Sequence, residues 1–138
     1  MAIVYFDSSA FVKLIVEEAG SELAGQLWDR CDAAVSSRLA YPEVRAALSA
    51  AARDHRLDPT AYRNAVDNWE RYWAGVRVVE FSESVSVHAG TLAGDHGLRG
   101  ADAVHLASAL ILGTDQVVAV WDTRLASAAL RLGLVTVP

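Results

Sequence analysis

Residues 1–14 read MAIVYFDSSAFVKL. Ile3 to Phe6 is a short run of apolar, strand-forming side chains that stops on Asp7, and the hydroxyl pair Ser8 and Ser9 follows at once. A strand apolar at consecutive positions is buried on both faces, the condition of a strand inside a parallel sheet covered by helices. Asp7 then has two readings. Its oxygen can accept from the orphan N–H groups of the next helix's first turn, or it can be one arm of a site whose other arms lie far along the chain.

The same alternation recurs outward from this stretch. Ile3 to Phe6, Ala33 to Val35, Val76 to Val79, Val117 to Val120 and Val135 to Val137 read as strands. Helical patterns run near Ser9 to Val16, Ser21 to Cys31, Arg38 to His55, Pro59 to Ala74, Ser84 to His96, Ala101 to Leu112 and Thr123 to Leu132. Strand and helix in alternation imply an α/β fold with a mainly parallel sheet, because parallel neighbours need crossover connections. Sites in such sheets gather at the carboxyl ends of strands. Asp7 stands at such an end.

The 138 residues contain no repeat and no Pro/Gly/Ser-rich linker, so residues 1–138 are expected to form one domain with a sizeable core. The apolar share of 53% argues against disorder. Met1 to Phe6 is too short for a signal peptide and has no basic region before it, and charges interrupt every apolar stretch before about 18 positions. A cytoplasmic protein without a membrane span is therefore expected. The lone Cys31 excludes an internal disulfide and a cysteine metal cage. A net charge of −5 argues against a broad basic face, although eleven of the twelve basic residues are Arg, whose planar fork suits phosphate.

Three further acids stand where Asp7 does, at element ends. Glu43 follows Pro42, which a helix tolerates only in its first turn. In GLRGADAVHLASAL, Asp102 opens an apolar helix, where a buried charge without a partner is costly. In QVVAVWDTRLASAAL, Asp122 repeats the opening theme of apolar strand, Asp and helix. Each alone reads as a cap or a first-turn acid favoured by the helix dipole. Four carboxylates at one end of a sheet would repel one another, and a hard divalent cation, Mg²⁺ or Mn²⁺, is the natural counter-charge.

YFDSSAFVKL, YPEV, LRGADAVHLASAL and VVAVWDTRLASAALRLGLVTVP occur in this order along the chain. Together they resemble the PIN-domain ribonucleases, and more narrowly the VapC toxins of bacterial toxin–antitoxin pairs. The resemblance places an acidic quartet on Asp7, Glu43, Asp102 and Asp122 and a catalytic hydroxyl on Ser9. It implies a three-layer α/β/α sandwich, dependence on Mg²⁺ or Mn²⁺, RNA as substrate, a small VapB-like antitoxin protein as partner, and a homodimer. The chain departs from many relatives at Val120, where they carry Thr or Ser two residues before the last acid; a hydroxyl is then missing there or supplied by Thr123.

The implied chemistry is hydrolysis by a metal-activated water. Asp7 and Asp102 are the expected direct ligands, Glu43 and Asp122 ligands directly or through water, and Ser9 a group that positions a carboxylate or a water. Arg99 is a weaker candidate for substrate phosphate, with a solvated loop Arg the equal alternative, and Lys13, four residues after Ser9, either faces the site or is an ordinary surface residue. His105, one turn past Asp102, reads as a hydrogen-bonded core histidine, and the four histidines have no zinc-ligand spacing. Tyr62, Ala65 or Val66, Trp69 and Trp73 recur at helical spacing; core packing is the simpler reading, a dimer or antitoxin surface the other. Two rival functions stand beside the nuclease: a non-catalytic binding module on the same fold, and an aspartyl-phosphate phosphotransfer enzyme. The second fits poorly, because Ser9 holds the position of a second Asp and Lys13, the only lysine, lies far too early.

Overall fold

A computed structural model of the chain describes residues 2–138. Five strands, β1 (Ile3–Phe6), β2 (Ala33–Ser37), β3 (Val76–Val79), β4 (Val117–Ala119) and β5 (Val135–Val137), form one sheet in the order β3-β2-β1-β4-β5. Every pairing is parallel, with Tyr5 opposite Val35 on one side and Val118 on the other. Seven helices complete the described residues: α1 (Ser8–Ile15), α2 (Ser21–Arg30), α3 (Ala40–Arg53), α4 (Pro59–Ala74), α5 (Glu83–His96), α6 (Gly100–Leu110) and α7 (Thr123–Arg131). None is long and apolar enough to cross a membrane.

The pleat divides the core into two. Val4, Phe6, Ala34 and Ala119 point to one face, where Phe11 of α1, Val44 and Leu48 of α3 and Trp69 of α4 cover them. Tyr5, Val35 and Val118 point to the other, against Leu92 of α5, Leu106 of α6 and Leu125 of α7. This alternation is why the strands are apolar at consecutive positions, and it makes the expected three-layer α/β/α sandwich. β1 is the central strand. Connections leaving it toward β2 and β3 lie on one face and those leading to β4 and β5 on the other, so the topological switch point falls between β1 and β4.

Most elements have a boundary that shifts by one or two residues from the one the sequence suggests, two of them for reasons that the hydrogen bonds make plain. β2 runs on to Ser37 because its hydroxyls find backbone partners: Ser36 Oγ donates to the Phe6 carbonyl at 2.6 Å, and Ser37 Oγ accepts from the Leu39 N–H at 3.1 Å. Helix α3 begins at Ala40 rather than Arg38, whose N–H is committed to the Val79 carbonyl at 2.9 Å. The aromatic stripe of α4 belongs to the core: Trp69 is 0% exposed, and Tyr62, Val66 and Trp73 pack around the same cluster.

Candidate active site

Asp7 leaves the end of β1 at the switch point and caps α1. Its Oδ1 accepts from the Ala10 N–H at 3.0 Å and from Ser9 Oγ at 2.7 Å. Ser9 therefore holds a carboxylate. Both bonds fall on Oδ1, leaving Oδ2 free of protein donors. The side chain is buried, and burial raises its pKa above the usual 3.8; His105 and the two hydrogen bonds pull it down, and the charge of Glu43 pushes it up. Asp7 and Glu43 thus share one electrostatic neighbourhood.

Glu43 sits in the first turn of α3, where Pro42 needs no N–H partner. Its Oε1 accepts from His105 Nε2 at 2.5 Å. His105 Nδ1 in turn lies 2.8 Å from the Tyr5 hydroxyl. A carboxylate only accepts, so His105 Nε2–H donates to Glu43, and in the neutral imidazole Nδ1 then accepts from the Tyr5 hydroxyl, whose pKa burial raises above its ordinary 10.0. Tyr5 and Glu43 face this histidine from opposite sides of the ring. The reading of His105 as a hydrogen-bonded core residue agrees with this placement, but Tyr5 is missed by sequence reasoning, which counts it among the apolar residues of β1. A phenol inside an otherwise aliphatic strand is the one signal that marks it, since a buried hydroxyl needs a partner.

Asp102 lies in the first turn of α6, one turn before His105 on the same helix. Its Oδ2 accepts from Arg99 Nε at 3.2 Å, while Arg99 itself is largely exposed. Asp122 caps α7 beyond the end of β4, its Oδ1 accepting from the Leu125 N–H at 2.9 Å. That bond fixes Asp122 without a hydroxyl at Val120, which is buried. The neighbouring Trp121 packs over Gly20, whose backbone is left-handed (φ +94°); a Cβ there would stand 2.8 Å from the indole nitrogen. Lys13 does not turn to the acids. Its ammonium is held by Glu18 at 3.0 Å and the Ala19 carbonyl at 2.9 Å, and it lies over the Trp121 ring.

All four acids therefore stand at the carboxyl end of the sheet or in the first turn of a helix. Asp7 and Asp122 follow paired strands on the two sides of the switch point. Asp102 lies one turn before His105, whose ring meets Glu43, on the same helix. As the side chains are placed, no group of three or more His, Cys, Asp or Glu among the described residues is gathered tightly enough to hold a metal ion. Glu43 is turned onto His105 and Asp102 onto Arg99. The donor chemistry nevertheless fits a hard cation: an all-carboxylate set, with one Asp7 oxygen that no protein donor occupies.

The PIN domain model matches residues 4–130. The chain belongs to the PIN-domain family. It is 59% identical to ribonucleases VapC45 and VapC49 of Mycobacterium tuberculosis over 139 aligned positions, covering 100% of this chain and 96% of each relative. In structure it is similar to Mycobacterium tuberculosis VapC20, a sarcin-ricin loop cleaving toxin (TM-score 0.68, 19% identity, 91% of this chain and 94% of that one). It is also similar to a chain of a toxin-antitoxin complex from Klebsiella pneumoniae (TM-score 0.64, 16% identity, 89% and 88%).

Proposed function

We propose that the chain is a VapC-type toxin, a Mg²⁺- or Mn²⁺-dependent endoribonuclease whose residues 1–138 act as one PIN-like domain in the cytoplasm. The observation that carries this reading is the placement of Asp7: a buried residue at the switch point, with one carboxylate oxygen free of protein donors and Glu43 close enough to oppose its ionisation. Identity of 59% over the full chain to two proteins named ribonucleases supports RNA as the substrate.

In this reading Asp7, Glu43, Asp102 and Asp122 hold the cation. When bound, the cation supplies neutralisation of the phosphodiester's charge and acidifies the attacking water. Ser9 keeps Asp7 Oδ1 occupied so that Oδ2 is the oxygen presented. His105, steered by Tyr5, presents an N–H to Glu43 and fixes where that carboxylate rests when no cation is present. A VapB-like antitoxin and a second copy of the chain are the proposed partners, the first supported by the toxin–antitoxin complex among the structural neighbours.

The test is incubation of the purified protein with a mixed cellular RNA pool, in Mg²⁺ and in EDTA, with mapping of new ends. Discrete new ends in Mg²⁺ and none in EDTA are expected. RNA left intact in both sinks the nuclease and favours a non-catalytic PIN-fold module, a second reading to which the engagement of Glu43 with His105 and the missing hydroxyl at Val120 lend support.

A further inference from the structure

The exposed side of α7 carries Thr123, Arg124, Ser127 and Arg131 at spacings of three, four and seven, one stripe of a helix. With His96 and Gly97, where α5 ends, these side chains line an open basin of about 350 Å³. No acid lines it. Arg131 Nη2 lies 3.4 Å from His96 Nδ1 and, as a guanidinium only donates, Nδ1 must accept. A solvated helix face in a chain with 17 acids and 12 bases would ordinarily mix the two signs; α7 has no Asp or Glu after its cap. Among the described residues neither Arg124 nor Arg131 has a carboxylate within 4.0 Å, so both guanidiniums are free to meet an anion.

The basin's position gives this charge a use. Thr123 directly follows Asp122, and Gly97 opens the short link that leads to Asp102. Asp122 is therefore one residue along the chain from the basin's lining, and Asp102 five. An anionic polymer approaching a carboxylate cluster meets repulsion, and paired guanidiniums beside the cluster offset it while fixing the strand's position. We propose that this basin is a phosphodiester-binding subsite that seats the RNA backbone next to the acidic site. It rests on the nuclease reading above and adds to it the residues that hold the strand away from the cut. Arg124 and Arg131 are positioning residues, and Thr123 and Ser127 supply hydroxyl donors.

The experiment is binding of a fluorescent single-stranded RNA oligonucleotide in EDTA, at salt concentrations between about 50 and 200 mM, to wild type, Arg124→Gln, Arg131→Gln, the double variant and the control Arg63→Gln on α4. Each lost phosphate contact should flatten the dependence of log affinity on log salt by about 0.7. Arg124→Gln and Arg131→Gln should each show that change, the double variant roughly both, and Arg63→Gln none. Cleavage by the double variant in Mg²⁺ should show a raised KM with kcat little changed. Slopes equal to wild type in a protein that still cuts RNA overturn the basin alone. A wild type that neither binds nor cuts RNA overturns the nuclease reading and the basin with it. Loss of binding to a poly-glutamate peptide, with RNA binding intact, assigns the basin to an acidic protein partner and overturns the proposal.

Discussion

Glu43 and His105 meet at 2.5 Å, and through that bond the helical layer on one face of the sheet touches the layer on the other. Glu43 rides on α3, beside the core that holds Phe11 and Trp69; His105 rides on α6, in the core that holds Tyr5 and Leu106. The contact closes over the carboxyl end of the central strand. It holds the Glu43 carboxylate in the electrostatic neighbourhood of Asp7.

Tyr5→Phe keeps the ring and removes the donor to His105 Nδ1, leaving a buried acceptor unsatisfied. The expected cost is about 1–3 kcal/mol of stability, read as a lower urea midpoint at unchanged m. Tyr5→Phe combined with His105→Leu should cost clearly less than the two single losses added together, because the hydroxyl and the ring act through one bond. Additive losses would show that the two residues stabilise the fold independently.

Asp7 gives the metal-free protein a pH dependence whose sign follows from burial. Its folded pKa lies above the usual 3.8, so between that value and the raised one the folded chain binds more protons than the unfolded chain. Stability in EDTA therefore falls as pH rises through this interval. Asp7→Asn keeps the cap on Ala10 and has no charge to bury, so its urea midpoint should lack that part of the fall and match or exceed wild type at neutral pH. A variant that instead loses stability at every pH would make Asp7 a structural cap only.

Cation binding should be visible without any substrate. A cation that binds only the folded chain stabilises it by about 2.7 kcal/mol at a hundred times its Kd. Melting temperature should rise with Mn²⁺ or Mg²⁺ in wild type, and most of the rise should vanish in Asp7→Asn and in Asp102→Asn. Asp122→Ala removes the cap on Leu125 and should cost about 1 kcal/mol with or without cation; the loss of the cation increment as well marks Asp122 as a ligand. Melting curves indifferent to millimolar cation would remove the basis for a shared acidic site.

Trp69→Ala should come close to unfolding the chain, losing about 3–5 kcal/mol, since its ring is fully buried against Phe11, Tyr41 and Trp73. Trp73→Ala should cost less, because that ring is only partly buried and has Arg38 over its face. Denaturant titration of both variants separates them; equal losses would mean that the stripe has no outer edge.

β1 and β4 were legible because each is a continuous apolar run, and Asp7 and Asp122, readable as caps, do cap α1 and α7 by side-chain bonds. Ser36 and Ser37 were not legible as strand, since nothing local shows that their hydroxyls reach backbone partners. The acids were legible as strand and helix ends, and the switch point explains why they share one end of the sheet. The link among Tyr5, His105 and Glu43 was not, because it joins residues 100 and 62 positions apart. Periodicity carries no information at that range.

The strand order also sets a schedule. β1 is the first strand of the chain and the middle strand of the sheet, and Val4 waits for Val117 before its second side is paired. A chain emerging from the ribosome amino end first can dock β1 on β2 long before β4 exists. Asp122 arrives later still. A half-made copy therefore holds Asp7 and Glu43 but not the full set of acids, and in the proposed reading a growing chain cannot damage RNA in the cell that is still translating it.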